Sequence, residues 1–182
     1  MPTVLGVGSL HDDVIRPIRI ARPVEVVVMP VDLPEGFDRE SVGIVVVDHG
    51  SRRAEANRRH EDFVAAWRVE RGYAIVEPAH MELAEPSIGT AFDACVAGGA
   101  TTVVVAPYFL WPGNHSDRDI PALVDEAAAR HTGVRSLVTA PLGPHPLLMD
   151  IVEDRIRYCV AHVAGDVPEC DLCAGTGRCR LR

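Results

Sequence analysis

The chain has 182 residues, of which 47% are hydrophobic and 24% are charged, and its formal net charge is −8. This balance is ordinary for a globular protein and excludes a disordered polyampholyte. All 18 basic side chains are arginine, and the net acidity argues against a general nucleic-acid binder. The length fits one domain with an appended tail.

Residues 1–40 form an N-terminal extension of undefined structure, since prolines interrupt it around a strand signal at 24–29. The segment has neither the charged leader and apolar core of a signal peptide nor the acid-poor composition of a transit peptide. The sequence also contains no apolar run near the ~18 residues of a membrane helix. We therefore expect no membrane partner and a cytoplasmic location, or the chloroplast stroma if the source is a plant or alga.

From residue 42 the chain alternates between strand and helix patterns. The first strand, Val42–Asp48, is a continuous apolar run, which is typical of a strand buried on both faces of a parallel sheet. The predicted strands are 42–48, 73–81, 101–107 and 134–140, and the predicted helices are 53–71, 86–97, 117–131 and 144–163. The alternation predicts a three-layer α/β/α domain over residues 41–164, with a four-stranded parallel sheet. Residues 165–182 form the tail.

Two histidines follow strands at the predicted carboxyl edge of the sheet, where open α/β domains bind ligands. His49 follows the first strand, and His115 ends the loop after the third. A neutral imidazole can ligate a divalent metal or accept a proton near neutral pH. Glu82 or Glu85, after the second strand, could supply a third ligand of an open metal site. The alternative is that both histidines are ordinary loop residues bonded to backbone.

Several arginines lie close to these histidines in the sequence. Arg52 and Arg53 follow His49, and Arg118 follows His115. Arginine suits bidentate recognition of carboxylates, so these three residues favour a polyanionic ligand. Arg58 and Arg59 are instead expected on a solvated helix face, paired with neighbouring carboxylates.

Four of the five cysteines, Cys159, Cys170, Cys173 and Cys179, lie in the last 24 residues. In a cytosolic chain this clustering favours metal binding over disulfides. Four thiolates can hold an iron–sulfur cluster or a tetrahedral zinc ion, and the sulfur atoms alone do not distinguish them. The fifth, Cys95, is expected in the core.

Four segments carry a resemblance to a known family. They are DHGSRRAEAN at 48–57, EPAHMELAEPSI at 77–88, APYFLWPGNHSDRDIP at 106–121 and APLGPHPLL at 140–148. Together, and in this order, they resemble the small sirohydrochlorin chelatases of the CbiX/SirB family. The tail, HVAGDVPECDLCAGTGRCRL at 162–181, resembles that of the SirB-type ferrochelatases of chloroplasts, which carry a cluster reported as [2Fe–2S]. Short bacterial and archaeal members lack this tail.

The resemblance implies a class II chelatase fold, flavodoxin-like and half-size, which dimerises to recreate the two-lobed cleft of larger chelatases. The implied activity is insertion of Fe²⁺ into sirohydrochlorin to form sirohaem, with release of two protons. His49 and His115 match the family histidines, so we expect both to ligate the substrate metal and His49 to accept protons. The expected substrate-binding residues are Arg52, Arg53, Glu82, Glu85, Leu110, Trp111, Pro112, Gly113, Asn114 and Arg118.

Other functions compete with this one. A cobaltochelatase of cobalamin synthesis would share the fold and the histidines, because imidazole does not select between Fe²⁺ and Co²⁺. A nickel-inserting relative is a more distant alternative. A non-catalytic carrier of metal or tetrapyrrole, or a redox sensor built around the cysteines, would be a different class of protein. The tail is expected to hold a [2Fe–2S] cluster, with [4Fe–4S] or zinc as alternatives, in a regulatory, redox-sensing or dimer-stabilising role.

Overall fold

The computed structural model describes residues 33–170 and 172–181. The strand signal at 24–29, with the rest of the N-terminal extension up to residue 32, lies outside the described residues. The described chain divides into two compact units, one over residues 33–149 and the other over residues 150–181. The last helix spans this division, so the domain boundary expected near residue 164 stays a prediction.

The first unit repeats strand and helix, as the sequence predicts. Its elements are β1 (Val42–Asp48), α1 (Ala54–Arg71), β2 (Ile75–His80), α2 (Ile88–Ala97), β3 (Thr102–Pro107), a π-helical turn (His115–Asp119), α3 (Ile120–Ala128) and β4 (Arg135–Val138). Helix α4 (Pro146–Ala164) begins in this unit and continues into the second.

The four strands form one parallel sheet in the order β2-β1-β3-β4. Strand β1 pairs with β2 on one side and with β3 on the other, with Gly43 opposite both Ile75 and Val103. The chain adds β2 on one side of β1 and then β3 on the other, so the order of the strands reverses between β1 and β3. Such a switch point leaves a crevice outside the carboxyl ends of these two strands. The predicted α/β fold with a four-stranded parallel sheet is confirmed.

Strand β1 is buried on both faces because helices cover both sides of the sheet. Val45 and Val47 belong to the core cluster that contains α2 and α3. Ile44 and Val46 belong to a second cluster that contains Val64 of α1. This arrangement explains why the strand reads as a continuous apolar run rather than an alternating one.

Two elements differ from the sequence prediction. The helix expected over 117–131 begins with a π-helical turn, in which the N–H of Ile120 donates to the carbonyl of His115, and α3 ends at Ala128. Pro121 has no N–H and cannot continue a regular helical ladder through this point. Strand β4 is shorter than the predicted 134–140, because it pairs only with β3 and its first three residues are exposed.

The second unit consists of the rest of α4 and the tail. The tail turns back on the end of the helix: Asp166 N–H donates to the carbonyl of Ala161, and the ring of His162 hydrogen-bonds to the Val167 carbonyl at 2.9 Å. The part of the chain that the structure describes has no helix that is both long and apolar enough to cross a bilayer.

The packing of β1 against α2 generates a test of the fold. A Cβ atom at Gly43 would lie 2.8 Å from Cβ of Cys95 and 2.9 Å from Cβ of Ala100. Gly43→Ala is therefore expected to lower the free energy of unfolding by about 1–3 kcal/mol through overpacking, as measured by urea denaturation. Gly113→Ala is the control, since nothing lies within 4 Å of a Cβ there. Equal stability of the two variants would contradict this packing.

Candidate active site

The structure brings the two predicted histidines together at the switch point. His49 follows β1 and His115 lies beyond β3, and their ring centroids are 5.4 Å apart with the planes at 74°. Both side chains are nearly half exposed, at 44% and 48%. The paired rings therefore lie where solvent and ligands can reach them.

His49 is paired with a carboxylate from the neighbouring strand end. Its Nε2 lies 2.8 Å from Oε1 of Glu82, and its Nδ1 lies 3.3 Å from the carbonyl of Gly50. The backbone aligns the two segments, because Glu82 N–H donates to the carbonyl of His49 at 3.2 Å. Both ring nitrogens therefore face oxygen acceptors, so the ring can donate from both after it takes up a proton.

Gly50 permits this close approach. Its φ is +81°, and a Cβ atom there would lie 2.0 Å from the carbonyl oxygen of Glu82. The left-handed backbone and the missing side chain are both required for the turn that carries His49 beside Glu82.

His115 is held by a carboxylate four residues further on. Its Nδ1 donates to Oδ2 of Asp119 at 2.9 Å, across the π-helical turn. This bond, together with one from Arg118, holds the pKa of Asp119 below its usual value. Because the proton is fixed on Nδ1, Nε2 keeps a free lone pair. Carboxylates that are not themselves ligands orient metal-binding histidines in this way. Asp119 was not among the predicted site residues.

The two predicted carboxylates have different surroundings. Glu82 pairs with His49, whereas Glu85 accepts hydrogen bonds from Ser87 N–H at 2.7 Å and from Thr90 Oγ1 at 3.0 Å. The backbone bond from Ser87 is the largest cause that lowers the pKa of Glu85. Glu85 is thus engaged at the start of α2, and Glu82 is the carboxylate that the structure places on a site histidine.

The loop between β3 and His115 is exposed to solvent. Its exposed residues are Leu110, Trp111, Pro112, Gly113 and Asn114. Leu110 and Trp111 are 54% and 63% exposed. The buried Ser116 closes the loop, since its Oγ accepts from the Gly113 N–H at 3.0 Å. An exposed apolar loop ending at His115 suits contact with a flat, conjugated ligand.

The three predicted arginines are exposed and loosely paired. Arg53 lies 4.0 Å from a carboxylate oxygen of Glu55, Arg118 lies 3.3 Å from Asp119, and Arg52 is exposed. Exposed pairs of this kind contribute little to stability, so these guanidinium groups can exchange partners for an anionic ligand.

On α1, the arginines behave differently from those beside the histidines. Arg59 forms an i,i+4 pair with Glu55 at 2.9 Å, and Arg58 is exposed. The solvated helix face expected for these two residues agrees with this arrangement.

Sequence reasoning missed a second group of polar side chains beneath His49. His80 of β2 is wholly buried, and its Nδ1 lies 2.6 Å from Oδ1 of Asp48. His60 of α1, 7% exposed, hydrogen-bonds to the Val46 carbonyl at 3.0 Å. The available signal was a histidine in the predicted strand at 73–81, because an ionisable residue buried in a sheet requires a partner.

Among the tail cysteines, Cys159, Cys173 and Cys179 are neighbours. The sulfur atoms of Cys159 and Cys179 are 4.0 Å apart. A hydrogen bond with Cys173, followed by burial and the neighbouring Cys159, raises the pKa of Cys179 to about 12. Cys95 lies in the core, as expected, and burial raises the pKa of its thiol to about 12.

No group of three or more His, Cys, Asp or Glu side chains arranged to hold a metal ion occurs within residues 33–170 and 172–181. The pair of imidazoles can still supply two ligands to a divalent ion, with the remaining positions filled by other donors. One imidazole is held by Glu82 and the other by Asp119. The arrangement can bind a divalent cation weakly and accept protons beside it.

The fold and the site together define an open α/β domain with paired histidines at the carboxyl edge of a parallel sheet. Residues 43–159 match the family model described as CbiX. The chain belongs to the CbiX family, which confirms the resemblance seen in the sequence.

Individual relatives agree with this membership. Sirohydrochlorin ferrochelatase, chloroplastic, from Arabidopsis thaliana is 58% identical over 139 residues, which are 76% of this chain and 62% of that protein. Sirohydrochlorin cobaltochelatase from Priestia megaterium is 35% identical over 115 residues, covering 63% of this chain and 37% of that protein. The match therefore spans less than two thirds of the length of either relative.

Solved structures show the same fold. The sirohydrochlorin chelatase SirB from Bacillus subtilis subspecies spizizenii, in complex with cobalt, superimposes with a TM-score of 0.62 at 31% identity. The match covers 65% of this chain and 50% of that chain.

The His115–Asp119 pair generates a test of metal binding. Asp119→Ala removes the acceptor that fixes Nδ1 of His115, so the affinity for Co²⁺ is expected to fall by about 10- to 100-fold. Isothermal titration of the substrate-free protein measures this loss. Asp117→Ala is the matched control, since Asp117 lies in the same turn and bonds to Ser116 rather than to a histidine. Equal loss in both variants would contradict a specific role for Asp119.

Proposed function

We propose that this protein is a sirohydrochlorin ferrochelatase, a lyase that inserts Fe²⁺ into sirohydrochlorin to form sirohaem and releases two protons. The observation that carries the proposal is the 5.4 Å pairing of His49 with His115 at the switch point, with Glu82 on His49. The identity to the Arabidopsis ferrochelatase supports the choice of iron and of substrate.

The two histidines have different tasks in this reaction. Two pyrrole N–H protons must leave the macrocycle as the ion enters, and the dianion that remains neutralises the charge of Fe²⁺. His49 accepts one proton, and the carboxylate of Glu82 at 2.8 Å stabilises the resulting imidazolium, while the other proton passes to the solvent that reaches this half-exposed site. His115 ligates the incoming ion through Nε2 while Asp119 holds its other nitrogen. His49 also serves as a metal ligand before it is protonated.

The rest of the site binds the macrocycle. Sirohydrochlorin carries several carboxylates, and Arg52, Arg53 and Arg118 are suited to bind them as bidentate partners. The loop residues Leu110 to Asn114 provide apolar contact for the ring system. Glu85, just before α2, is proposed to contact the substrate as well; hydrogen bonds from Ser87 and Thr90 lower its pKa and fix its carboxylate.

The experiment that tests the function is anaerobic turnover of sirohydrochlorin with Fe²⁺, Co²⁺ and Ni²⁺ in parallel, followed by absorption. A ferrochelatase gives its highest kcat/KM with Fe²⁺. A preference for Co²⁺ establishes the alternative, a cobaltochelatase, and a preference for Ni²⁺ establishes a nickel-inserting enzyme. Stoichiometric binding without turnover establishes a carrier and overturns the proposal.

Loss of either site histidine is expected to remove most of the activity and leave the fold intact, since both rings are exposed. His49→Ala and His115→Ala should each lower kcat by about 100-fold or more, because each removes a base or a ligand that acts on the reacting atoms. The measurement is steady-state turnover with circular dichroism as a check of folding.

His131→Ala is the control for these variants. His131 follows α3 and bonds to Asp93 of α2 at 2.6 Å, away from the carboxyl edge of the sheet. Its activity per folded molecule is expected to equal that of the unaltered protein. Near-normal turnover in both site variants would rule out the assigned roles.

Assembly and location are also part of the proposal. The match to SirB covers half of that chain, which supports a homodimer in which a second copy supplies the other wall of the cleft. Sedimentation equilibrium at a mass of two chains is the expected result. We propose a cytoplasmic location, or the chloroplast stroma in a plant or alga; the name of the Arabidopsis relative gives that protein as chloroplastic.

The tail residues Cys159, Cys170, Cys173 and Cys179 are proposed to hold an iron–sulfur cluster, with [2Fe–2S] preferred over [4Fe–4S] or zinc. The chemistry of the donors fits, because four thiols can supply the ligands of such a cluster and Sγ of Cys159 lies 4.0 Å from Sγ of Cys179. The cysteines would hold the cluster as thiolates. When bound, the cluster supplies redox sensing or dimer stabilisation, and no step of chelation passes through it.

Replacement of Cys170 and Cys173 by serine is expected to abolish the visible absorption of the anaerobically purified protein. Iron and zinc analysis and electron paramagnetic resonance of the unaltered protein distinguish the cluster types. Cys95→Ala is the control and should keep the full spectrum, since Cys95 is buried in the core of the first unit. An unchanged spectrum in the double variant would show that the ligand set is wrong.

A further inference from the structure

We propose that His80 is a positioning residue for the active site, which holds His49 in place through Asp48. The inference rests on the proposed function, because it concerns the geometry of the base in that reaction. His80 touches no reacting atom. It acts through one hydrogen bond to the carboxylate at the end of β1.

His80 and Asp48 are register partners in the sheet. They lie opposite each other at the carboxyl ends of β2 and β1, and Nδ1 of His80 lies 2.6 Å from Oδ1 of Asp48. A carboxylate can only accept, so Nδ1 carries the proton and donates. The bond is short and charge-assisted, and one of its partners is wholly buried, which makes it one of the stronger interactions of the site.

The same carboxylate oxygen also holds the turn that carries His49. Oδ1 of Asp48 accepts a hydrogen bond from the Gly50 N–H at 2.9 Å, so His49 lies between two residues joined by this bond. The carboxylate can hold the turn only while its own orientation is fixed, and His80 supplies that restraint from the neighbouring strand. The direction of the His49 ring toward Glu82 therefore depends on His80.

Burying His80 has a cost that an apolar side chain at this position would avoid. The side chain has no exposed surface, and its Nε2 has no hydrogen-bond partner among the described residues. The nearest carboxylate oxygen, on Glu61, is 3.6 Å away, which is too far for a direct hydrogen bond. A buried polar atom without a partner costs about 1–3 kcal/mol, and an apolar side chain at this position would avoid that cost.

His60, the other buried histidine, does not take the place of His80 as the donor to Asp48. His60 lies 3.9 Å from the second oxygen of Asp48 through Nδ1, and its Nε2 hydrogen-bonds to the Val46 carbonyl. A neutral ring that donates from Nε2 has no proton on Nδ1 to offer to the carboxylate. His60 therefore packs beside Asp48 and leaves the hydrogen bond to His80.

Three substitutions at one position test the proposal. His80→Asn places an amide N–H close to the position of Nδ1, His80→Gln places it near Nε2, and His80→Leu removes the donor but fills the core. We expect His80→Asn to keep kcat within about 3-fold, and the other two to lower kcat by about 10- to 100-fold, with little change in KM for sirohydrochlorin. Turnover is expressed per folded molecule, with the melting temperature recorded for each variant.

Binding of Co²⁺ to the substrate-free protein is the second readout, because a displaced His49 weakens the metal site without any turnover. The same order is expected, with His80→Asn retaining affinity and the other two variants losing it. If His80→Leu does not fold, the comparison of the Asn and Gln variants decides the question alone.

The outcomes separate the two claims. Equal kcat in all three variants, or equal loss in all three, overturns the positioning role, since packing alone does not distinguish the two amides. If the unaltered protein binds Co²⁺ but shows no turnover, the proposed function fails, and the order of Co²⁺ affinities still decides the role of His80. If the unaltered protein neither binds Co²⁺ nor turns over sirohydrochlorin, both claims fail.

Discussion

The pairing of β1 with a strand on each side is the constraint on which the site depends. Because β1 bonds in parallel to both β2 and β3, the three carboxyl ends meet at one edge of the sheet. His49, Glu82 and His115 each lie beyond the end of one of these strands, so the sheet brings Glu82 and His115, from distant parts of the sequence, into contact with His49. The register of the sheet brings these strand ends together, and the local turns after them then place the side chains.

The backbone supplies most of the precision at this edge. The pairs His49–Glu82 and His115–Asp119 are at least one third exposed on both sides, and exposed pairs of this kind are worth about 0–1 kcal/mol. Such pairs cannot hold a structure against strain. The left-handed turn at Gly50 and the π-helical turn that begins at His115 instead place the side chains, and the weak pairs then select their rotamers.

How far the sequence predicts the structure depends on whether a feature is local. Strand β1 was predicted with its observed bounds, because a run of apolar residues buried on two faces leaves a clear pattern. The meeting of His49 and His115 followed from the rule that parallel strands end at one edge. Asp119 and the π-helical turn were missed. The predicted helix began at residue 117, whereas the turn that starts at His115 is needed to bring Asp119 beside His115. His80 was missed because its partner lies 32 residues away and is found only through the sheet register.

An enzyme that transfers a metal must hold it less firmly than its product does. A structural zinc site closes four ligands around the ion, whereas two half-exposed imidazoles leave most coordination positions to other donors. In the proposed reaction the four nitrogens of the macrocycle take those positions and then displace the imidazoles. The hydrogen bond that Glu82 accepts from His49 works in the same direction, since a protonated imidazole no longer binds metal. In the proposed reaction, proton uptake by His49 would thus release the ion as the macrocycle loses its pyrrole protons and becomes able to bind it.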